Sequence, residues 1–371
     1  MTCDFNLLPH EGIRSLHPYI PGKSTEELSM ELGLTDIIKL ASNENPLGCS
    51  PQVSAALAAL TPKQIATYSI SASHPLRQKL ANHLGIDKEM IMLGNGSDAV
   101  IPLLQLCFAL HSDKHVLTHQ HAFIAYRIHA QTLGLPVVTT PLLPNWQVDI
   151  DAMIASCNTK TALIFIATPN NPTGLAVEPS EIERLLQNIS ETTILVLDEA
   201  YYEYANKAHR FDALRALRTY PNLVITRTFS KVFGLAGLRL GYVVANPQII
   251  SILLRAVIPF SMNEAALVAG CAALDDTDFV QQSVNNNTMG LKQLQQGLTK
   301  LGLDYFDSQA NFILFDWKKD TTCLYQELQH HGIIVRPLHQ YGLTNYIRVT
   351  IGTLQQNNRF LEKLEEIQHE K

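Results

Sequence analysis

The sequence predicts an α/β protein: a large domain whose mostly parallel sheet is covered by helices, followed by a smaller α+β C-terminal lobe. Three observations lead there. The runs Ala162-Leu-Ile-Phe-Ile-Ala167 and Thr193-Ile-Leu-Val-Leu-Asp198 are apolar at consecutive positions, the mark of strands buried on both faces. Between residues 114 and 198 such strands alternate with amphipathic helical segments, the order of a parallel sheet joined by helical crossovers. From about residue 276 the texture changes to a long Gln/Asn-rich helix, three short strands and a closing helix. These shifts divide the chain into an N-terminal arm (1–35), a large domain (36–275) and a small C-terminal domain (276–371).

The arm carries Pro9, Pro18, Pro21 and Gly22 and little periodicity beyond a short helix near Thr25–Gly33. Ile37-Ile-Lys-Leu-Ala41 reads as a short strand entering an amide-rich turn, Ser42-Asn-Glu-Asn-Pro46, and helices follow at Pro51–Leu60 and Pro75–Leu84. Met90-Ile-Met-Leu93 then enters Gly94-Asn-Gly-Ser-Asp-Ala99 and an apolar helix. Strand, glycine turn and helix together aim backbone N–H groups at an anion. The same residues also match the G-x-G-x-x-G/A dinucleotide fingerprint, although a long helical segment, not an opening strand, precedes them. Strands at 114–118, 137–140, 162–167 and 193–198 alternate with helices at 123–133, 149–156 and 178–189. Residues 247–274 read as helices broken at Pro259–Asn263, and the lobe's strands fall at 312–316, 332–338 and 346–351.

Composition narrows the function. A formal net charge of -6 gives no basic footprint for nucleic acid, and no apolar run is long enough to span a bilayer. The first residues lack the basic-then-apolar order of a secretory signal, and the six cysteines are scattered without C-x-x-C spacing. A cytoplasmic protein with reduced thiols is expected. His119-Gln-His121 could pair on a metal, but no carboxylate or cysteine cluster accompanies them, so no metal is expected.

The chemistry concentrates in Thr228-Phe-Ser-Lys-Val-Phe-Gly-Leu-Ala-Gly-Leu-Arg239-Leu-Gly-Tyr242, between two apolar strands. A lysine there is costly to bury as a cation. Desolvation favours its neutral amine, which is the form that adds to an aldehyde. Thr228 and Ser230 bring hydroxyls, and Arg239 a fork suited to phosphate. An aldehyde-binding lysine beside phosphate ligands is what pyridoxal phosphate requires. Asp198 ends an apolar run, where an unpaired carboxylate is costly; a protonated ring nitrogen would pair it, and a helix N-cap is the plainer alternative. Asn171, in a turn between prolines, and Tyr201 could both bond a phenolate oxygen on such a ring. Arg336 and Arg348 lie in apolar strands and need anionic partners, either a substrate or a structural carboxylate.

With Asn171, Asp198, Tyr201 and Lys231 in this order, the chain resembles the fold-type-I pyridoxal-phosphate aminotransferases over nearly its whole length. Within them it is most similar to the histidinol-phosphate aminotransferases, through His17-Pro-Tyr19-Ile-Pro-Gly-Lys, Ser42-Asn-Glu-Asn-Pro, Tyr68, Gly96-Ser-Asp98, Pro169-Asn-Asn-Pro-Thr-Gly, Asp198-Glu-Ala-Tyr201, Thr228-Phe-Ser-Lys231 to Arg239, and Ile347-Arg-Val-Thr-Ile-Gly. The resemblance implies that Lys231 forms the Schiff base with the cofactor and later carries a proton. It implies that Asp198 keeps the ring nitrogen protonated and that Asn171 and Tyr201 hold the ring oxygen. Ser97, Asp98, Thr228, Ser230 and Arg239 would hold the cofactor phosphate, joined by Tyr68 of a neighbouring subunit in a homodimer. Tyr19, Asn45, Arg336 and Arg348 would line the side that takes histidinol phosphate and glutamate. Two positions depart from the pattern: Phe123 stands where many relatives stack a tyrosine on the ring, and Ala99 where glutamate is frequent. An aromatic amino-acid aminotransferase or a threonine-phosphate decarboxylase would share the same cofactor residues.

Overall fold

The structure is a computed structural model that describes residues 3–16, 18, 22–111 and 113–369. Its strands are β1 (Ile38–Lys39), β2 (Ile91–Gly94), β3 (His115–His119), β4 (Val137–Thr140), β5 (Thr161–Ala167), β6 (Ile194–Asp198), β7 (Leu223–Thr228), β8 (Gly241–Ala245), β9 (Phe312–Asp316), β10 (Ile333–Ile334), β11 (Arg336–Leu338) and β12 (Leu343–Thr350). Seven of them form the central sheet in the order β2-β8-β7-β6-β5-β3-β4. All its pairings are parallel except those of β8, which runs antiparallel to both neighbours.

The consecutive apolar positions have the expected cause. Along β5, Leu163 and Phe165 face one hydrophobic core, and Ile164 and Ile166 face another on the opposite side. Val196 and its neighbours Leu195 and Leu197 divide in the same way, so a pleat with period two is apolar on both faces. Helices cover both sides. Pro179–Asn188 starts with proline in its first turn and buries Ile182, Leu185 and Leu186 in one core, while Val100–Phe108 buries Ile101 and Leu104 in the other.

The small lobe is a three-stranded antiparallel sheet, β11-β12-β9, packed against the helices Thr277–Lys300 and Leu354–His369. The segment from Leu28 to Ala41, expected to divide between the arm and the large domain, packs on this lobe. There β1 pairs in parallel with β10, Leu40 enters the lobe's core, and Leu28 and Ala41 close over Ile334. A two-residue strand has too little local signal to show which sheet it will join. Among the described residues no helix is long and apolar enough to cross a membrane.

Parallel pairing brings the carboxyl ends of β3, β5, β6 and β7 to one edge of the sheet. The antiparallel β8 starts there, with Gly241 opposite both Thr228 and Gly94. A Cβ at Gly241 would lie 2.5 Å from the Ser97 amide nitrogen and 2.7 Å from the Gly96 carbonyl carbon. The 94–97 turn therefore rests directly on β8 backbone. Gly241→Ala is expected to cost about 1–3 kcal/mol of stability through overpacking and to weaken anion binding at that turn. A denaturant melt and a titration with inorganic phosphate measure the two effects; an unchanged melt with unchanged phosphate affinity would show that the turn slides freely.

Candidate active site

The chemistry-bearing ends of β2, β5, β6 and β7 open into one cavity of about 690 Å³, walled on the far side by the small lobe. Lys231, Asp198, Asn171, Tyr201, Phe123, Ser97, Asp98, Thr228, Ser230, Arg239, Arg336 and Arg348, separated by up to some 250 positions in sequence, all line it.

Lys231 follows β7 and points its amine into this space, 3.3 Å from the Ser42 carbonyl oxygen. Burial, and then the nearby Arg348 guanidinium, hold its pKa down at about 8 against an ordinary 10.5. Near neutrality a useful fraction of the amine is therefore unprotonated. Asp198, which ends β6 and lines the same cavity, is 5% exposed, and burial pushes its carboxyl up to about 6. One oxygen accepts the Tyr126 hydroxyl proton at 2.7 Å and the other the Ala200 amide at 3.2 Å. Tyr126 lies fully buried on the helix Ile124–Thr132, its ring stacked on Phe165 at 4.8 Å. Burial, with the Asp198 charge beside it, holds its phenol well above 10, so it remains a donor.

Tyr201 sits one turn beyond Asp198, and its hydroxyl collects two amides: Asn43 at 2.9 Å and Asn171 at 3.5 Å. Burial raises this phenol to about 12. Asn171 in turn accepts from Arg348, whose second nitrogen donates to the Ala41 carbonyl at 2.8 Å. Arg348 is 7% exposed, and these two of its N–H groups are met by neutral oxygens. Arg336 lies nearer the rim on β11, bonded to Gln340 at 3.2 Å.

Another part of the lining is shaped for an anion. Ser97 and Asp98 open a short 3-10 turn that leads into the helix Val100–Phe108. Arg239, in a left-handed conformation, donates to Asp98 at 3.2 Å and approaches Ser230 at 3.5 Å. The Thr228 hydroxyl accepts the Ser230 amide at 3.0 Å. Gly96 has φ +77, and a Cβ there would lie 2.5 Å from an Arg239 guanidinium nitrogen, so the cradle closes only on glycine. Phe123 lines the same cavity, its edge against Tyr126. The arrangement suits a planar ring that carries an aldehyde, a basic nitrogen, an oxygen substituent and a phosphate.

Three expected site residues are not in this group. Asn45 is not a wall of the cavity: its amide ties Val232 and Ser283 together, and the neighbouring Asn43 faces the site instead. Tyr68 is 77% exposed and stacks on Phe260, outside the cavity of its own chain. Tyr19 lies outside the described residues. Conversely, Tyr126 and Asn43 belong to the site without having been singled out. A tyrosine on the apolar face of a helix needs a partner for its hydroxyl, which was the available signal for Tyr126. Asn43 and Asn45 share one turn, and only the φ of +56 at Asn43 decides which amide turns inward.

A sheet edge that joins a lysine held partly neutral, a sealed carboxylate and an anion cradle defines a group-transfer enzyme of the aminotransferase type. The chain belongs to the aminotransferase class I and II family, whose model matches residues 35–364. It is 53% identical, over 98% of its length and 99% of the relative's, to histidinol-phosphate aminotransferase 2 of Legionella pneumophila strain Lens. It is 40% identical to the protein of the same name from Pseudomonas fluorescens Pf-5, covering 99% of each chain. The crystal structure of histidinol-phosphate aminotransferase from Sinorhizobium meliloti in complex with pyridoxal-5'-phosphate superposes with a TM-score of 0.86 at 26% identity, over 98% of each chain.

Asp198 carries a pH-dependent stability effect. Its folded pKa of about 6 exceeds the ordinary 3.8, so its contribution to stability is complete below 3.8 and lost as the pH rises through 6. The loss amounts to roughly 3 kcal/mol for a shift of this size. In the cofactor-free protein, Asp198→Asn is therefore expected to match the parent at pH 4 and to be more stable at pH 8, while turnover of the loaded enzyme falls sharply. Melts at the two pH values check it; equal stability at pH 8 would mean that the carboxylate already has a cationic partner.

Proposed function

We propose that this enzyme interconverts histidinol phosphate and imidazole acetol phosphate, with glutamate and 2-oxoglutarate as the amino-group pair, and that it does so with pyridoxal 5'-phosphate in the cavity. The observation that carries the reading is a single cavity lined by Lys231, Asp198, an anion cradle and two arginines. The relatives' names, at identities up to 53%, support the substrate.

The residues fit the cofactor by their own chemistry. Asp198 is a buried carboxylate whose raised pKa shows the cost of having no cation beside it, and a protonated ring nitrogen supplies one. The cradle brings the Ser97, Thr228 and Ser230 hydroxyls and the Arg239 guanidinium to the same cavity, donors that suit a phosphate. Bound there, pyridoxal phosphate supplies an aldehyde for the amine and a ring that draws electrons from the substrate's α-carbon. Lys231 is poised to attack that aldehyde and, once released, to move a proton at the substrate carbon. Tyr126 holds Asp198 in place and Tyr201 and Asn171 hold the ring oxygen. Phe123 covers one face without a hydroxyl. Arg348 and Arg336 recognise an anionic group: the carboxylate of the amino donor or the phosphate of the alternate substrate, since a guanidinium fork accepts either.

Lys231→Ala is expected to abolish transamination while the fold and some cofactor binding persist. The parent protein should show a visible cofactor band that borohydride reduction removes. Rates with histidinol phosphate, phenylalanine and threonine phosphate rank the substrates, and a faster reaction with either of the last two would overturn the substrate reading.

The same proposal includes a homodimer in which Tyr68 serves the neighbouring cavity. Tyr68 is directed away from its own site and lies among other exposed apolar side chains, with Ile65, Ile70, Ile258 and Phe260 between 56% and 77% exposed, as a subunit interface requires. Tyr68→Phe should impair activity through the loss of one hydrogen bond, about 1–3 kcal/mol. Mixing it with Lys231→Ala subunits should restore activity above either parent, because a hybrid can assemble one cavity with both groups intact. No gain despite subunit exchange would mean that Tyr68 acts within its own chain or has no role.

A further inference from the structure

The helix Ile124–Thr132 carries Tyr126, which holds Asp198, and begins at Phe123, which covers the cavity, yet its start has no side-chain cap of its own. Phe123 occupies the N-cap position and makes no capping hydrogen bond. The first amides of a helix lack partners within it, and Ser, Thr, Asp or Asn ordinarily supply one. Here the acceptor comes from the other lobe. The Ile124 amide donates to the hydroxyl of Tyr341, 217 positions away, at 3.3 Å.

Tyr341 also lines the cavity, beside Gln340 and Arg336. It ends the turn His339–Tyr341, which follows β11 directly, and the Arg336 guanidinium bonds Gln340 within that turn. A second tie runs the same way: the His121 ring, just ahead of Phe123, hydrogen-bonds to the Tyr341 backbone. The other side of His121 stacks on Trp146 at 5.2 Å, and Trp146 packs with Tyr341 against Leu314, Leu338 and Leu343 of the small lobe. The 121–124 turn is thus fastened to the small lobe on both sides of Phe123.

We propose that Tyr341 is a positioning residue: its hydroxyl caps the Phe123 helix from the small lobe and thereby couples anion recognition at Arg336 to the placement of Phe123 and Tyr126. The kinetic part of this role rests on the reading of the cavity as the cofactor site, but the capping part does not. At 3.3 Å the Ile124–Tyr341 bond lies just beyond the usual N–H···O range, so a closer approach of the two lobes at this point would strengthen it. An anion drawn to Arg336 favours that approach, which orders the start of the helix as the substrate arrives. One hydroxyl is enough to link the lobes because the helix offers no competing cap.

Tyr341→Phe removes the hydroxyl and keeps the ring. In the cofactor-free protein, amide hydrogen exchange across residues 120–128 is expected to quicken by about tenfold in the variant, the scale of one lost hydrogen bond. In the loaded enzyme, kcat with histidinol phosphate should fall by about tenfold, with KM changing less, because the loss lies in holding the reacting groups. The circular dichroism of the cofactor band should change as Phe123 loses its fixed position. Unchanged exchange would overturn the cap. Faster exchange with unaltered kcat and dichroism would overturn the positioning role and leave a structural contact. A parent protein with no cofactor band would instead indict the cofactor reading, and the exchange result would still decide the cap.

Discussion

A carboxylate sealed at the end of an apolar strand sets the terms for the rest of this molecule. Asp198 is 5% exposed and its pKa stands near 6, so the protein bears a standing cost for keeping it there. The cost is tolerable because the surroundings are polar in a directed way, with a phenol donating to one oxygen and a backbone amide to the other. Strand β6 cannot shift to relieve it. Directly after Asp198, Glu199 is 1% exposed and is gripped by two nitrogens of Arg227 on β7, at 2.7 and 2.8 Å. That guanidinium lies 3.9 Å from the centroid of the Tyr202 ring. Removing either member would strand a buried charge, so the pair fixes the register that holds Asp198 opposite Thr226 and keeps Thr228 at the same edge.

The fold turns this local constraint into a site by parallel pairing. Each parallel strand delivers its carboxyl end to one edge, and the one antiparallel strand brings Gly241 to the same edge from the opposite direction. The anion cradle, the carboxylate and the Lys231 amine consequently line one cavity. The electrostatics follow from this spacing. Arg348 is close enough to help depress the Lys231 pKa, while Asp98 and Glu44 pull it the other way. The resulting value near 8 is set first by burial and then by one charge on β12 and others on the turns that carry Asp98, Glu44 and Arg239.

Much of this was legible in the sequence, and the reason is physical. Strands buried on both faces must be apolar at every position, so β5 and β6 declare themselves, and a charged residue at the end of such a run is conspicuous. Lys231 and Asp198 were visible on those grounds. Residues whose role depends on a distant partner were not. Tyr126 reads as one more large side chain on an amphipathic helix until β6 is placed beneath it. Asn43 and Asn45 are chemically identical and two positions apart, and only backbone geometry separates the one that bonds Tyr201 from the one that bonds Val232. Leu28–Ala41 joins the small lobe through partners near residue 333, beyond the reach of any local pattern.

The two arginines, similar in sequence, differ in place. Arg348 is anchored deep, against Asn171 and the Ala41 carbonyl, and so touches the same network that holds Tyr201. Arg336 sits on the facing strand, paired with Arg348 across β11 and β12, but nearer the rim and linked to the turn that carries Gln340. Two cations on adjacent strands both raise the potential along the cavity wall they share, which favours a negatively charged ligand there. Both belong to the small lobe's sheet, and Arg348 reaches from it to Asn171 of the large domain, so one member of the pair ties the two lobes together at the cavity.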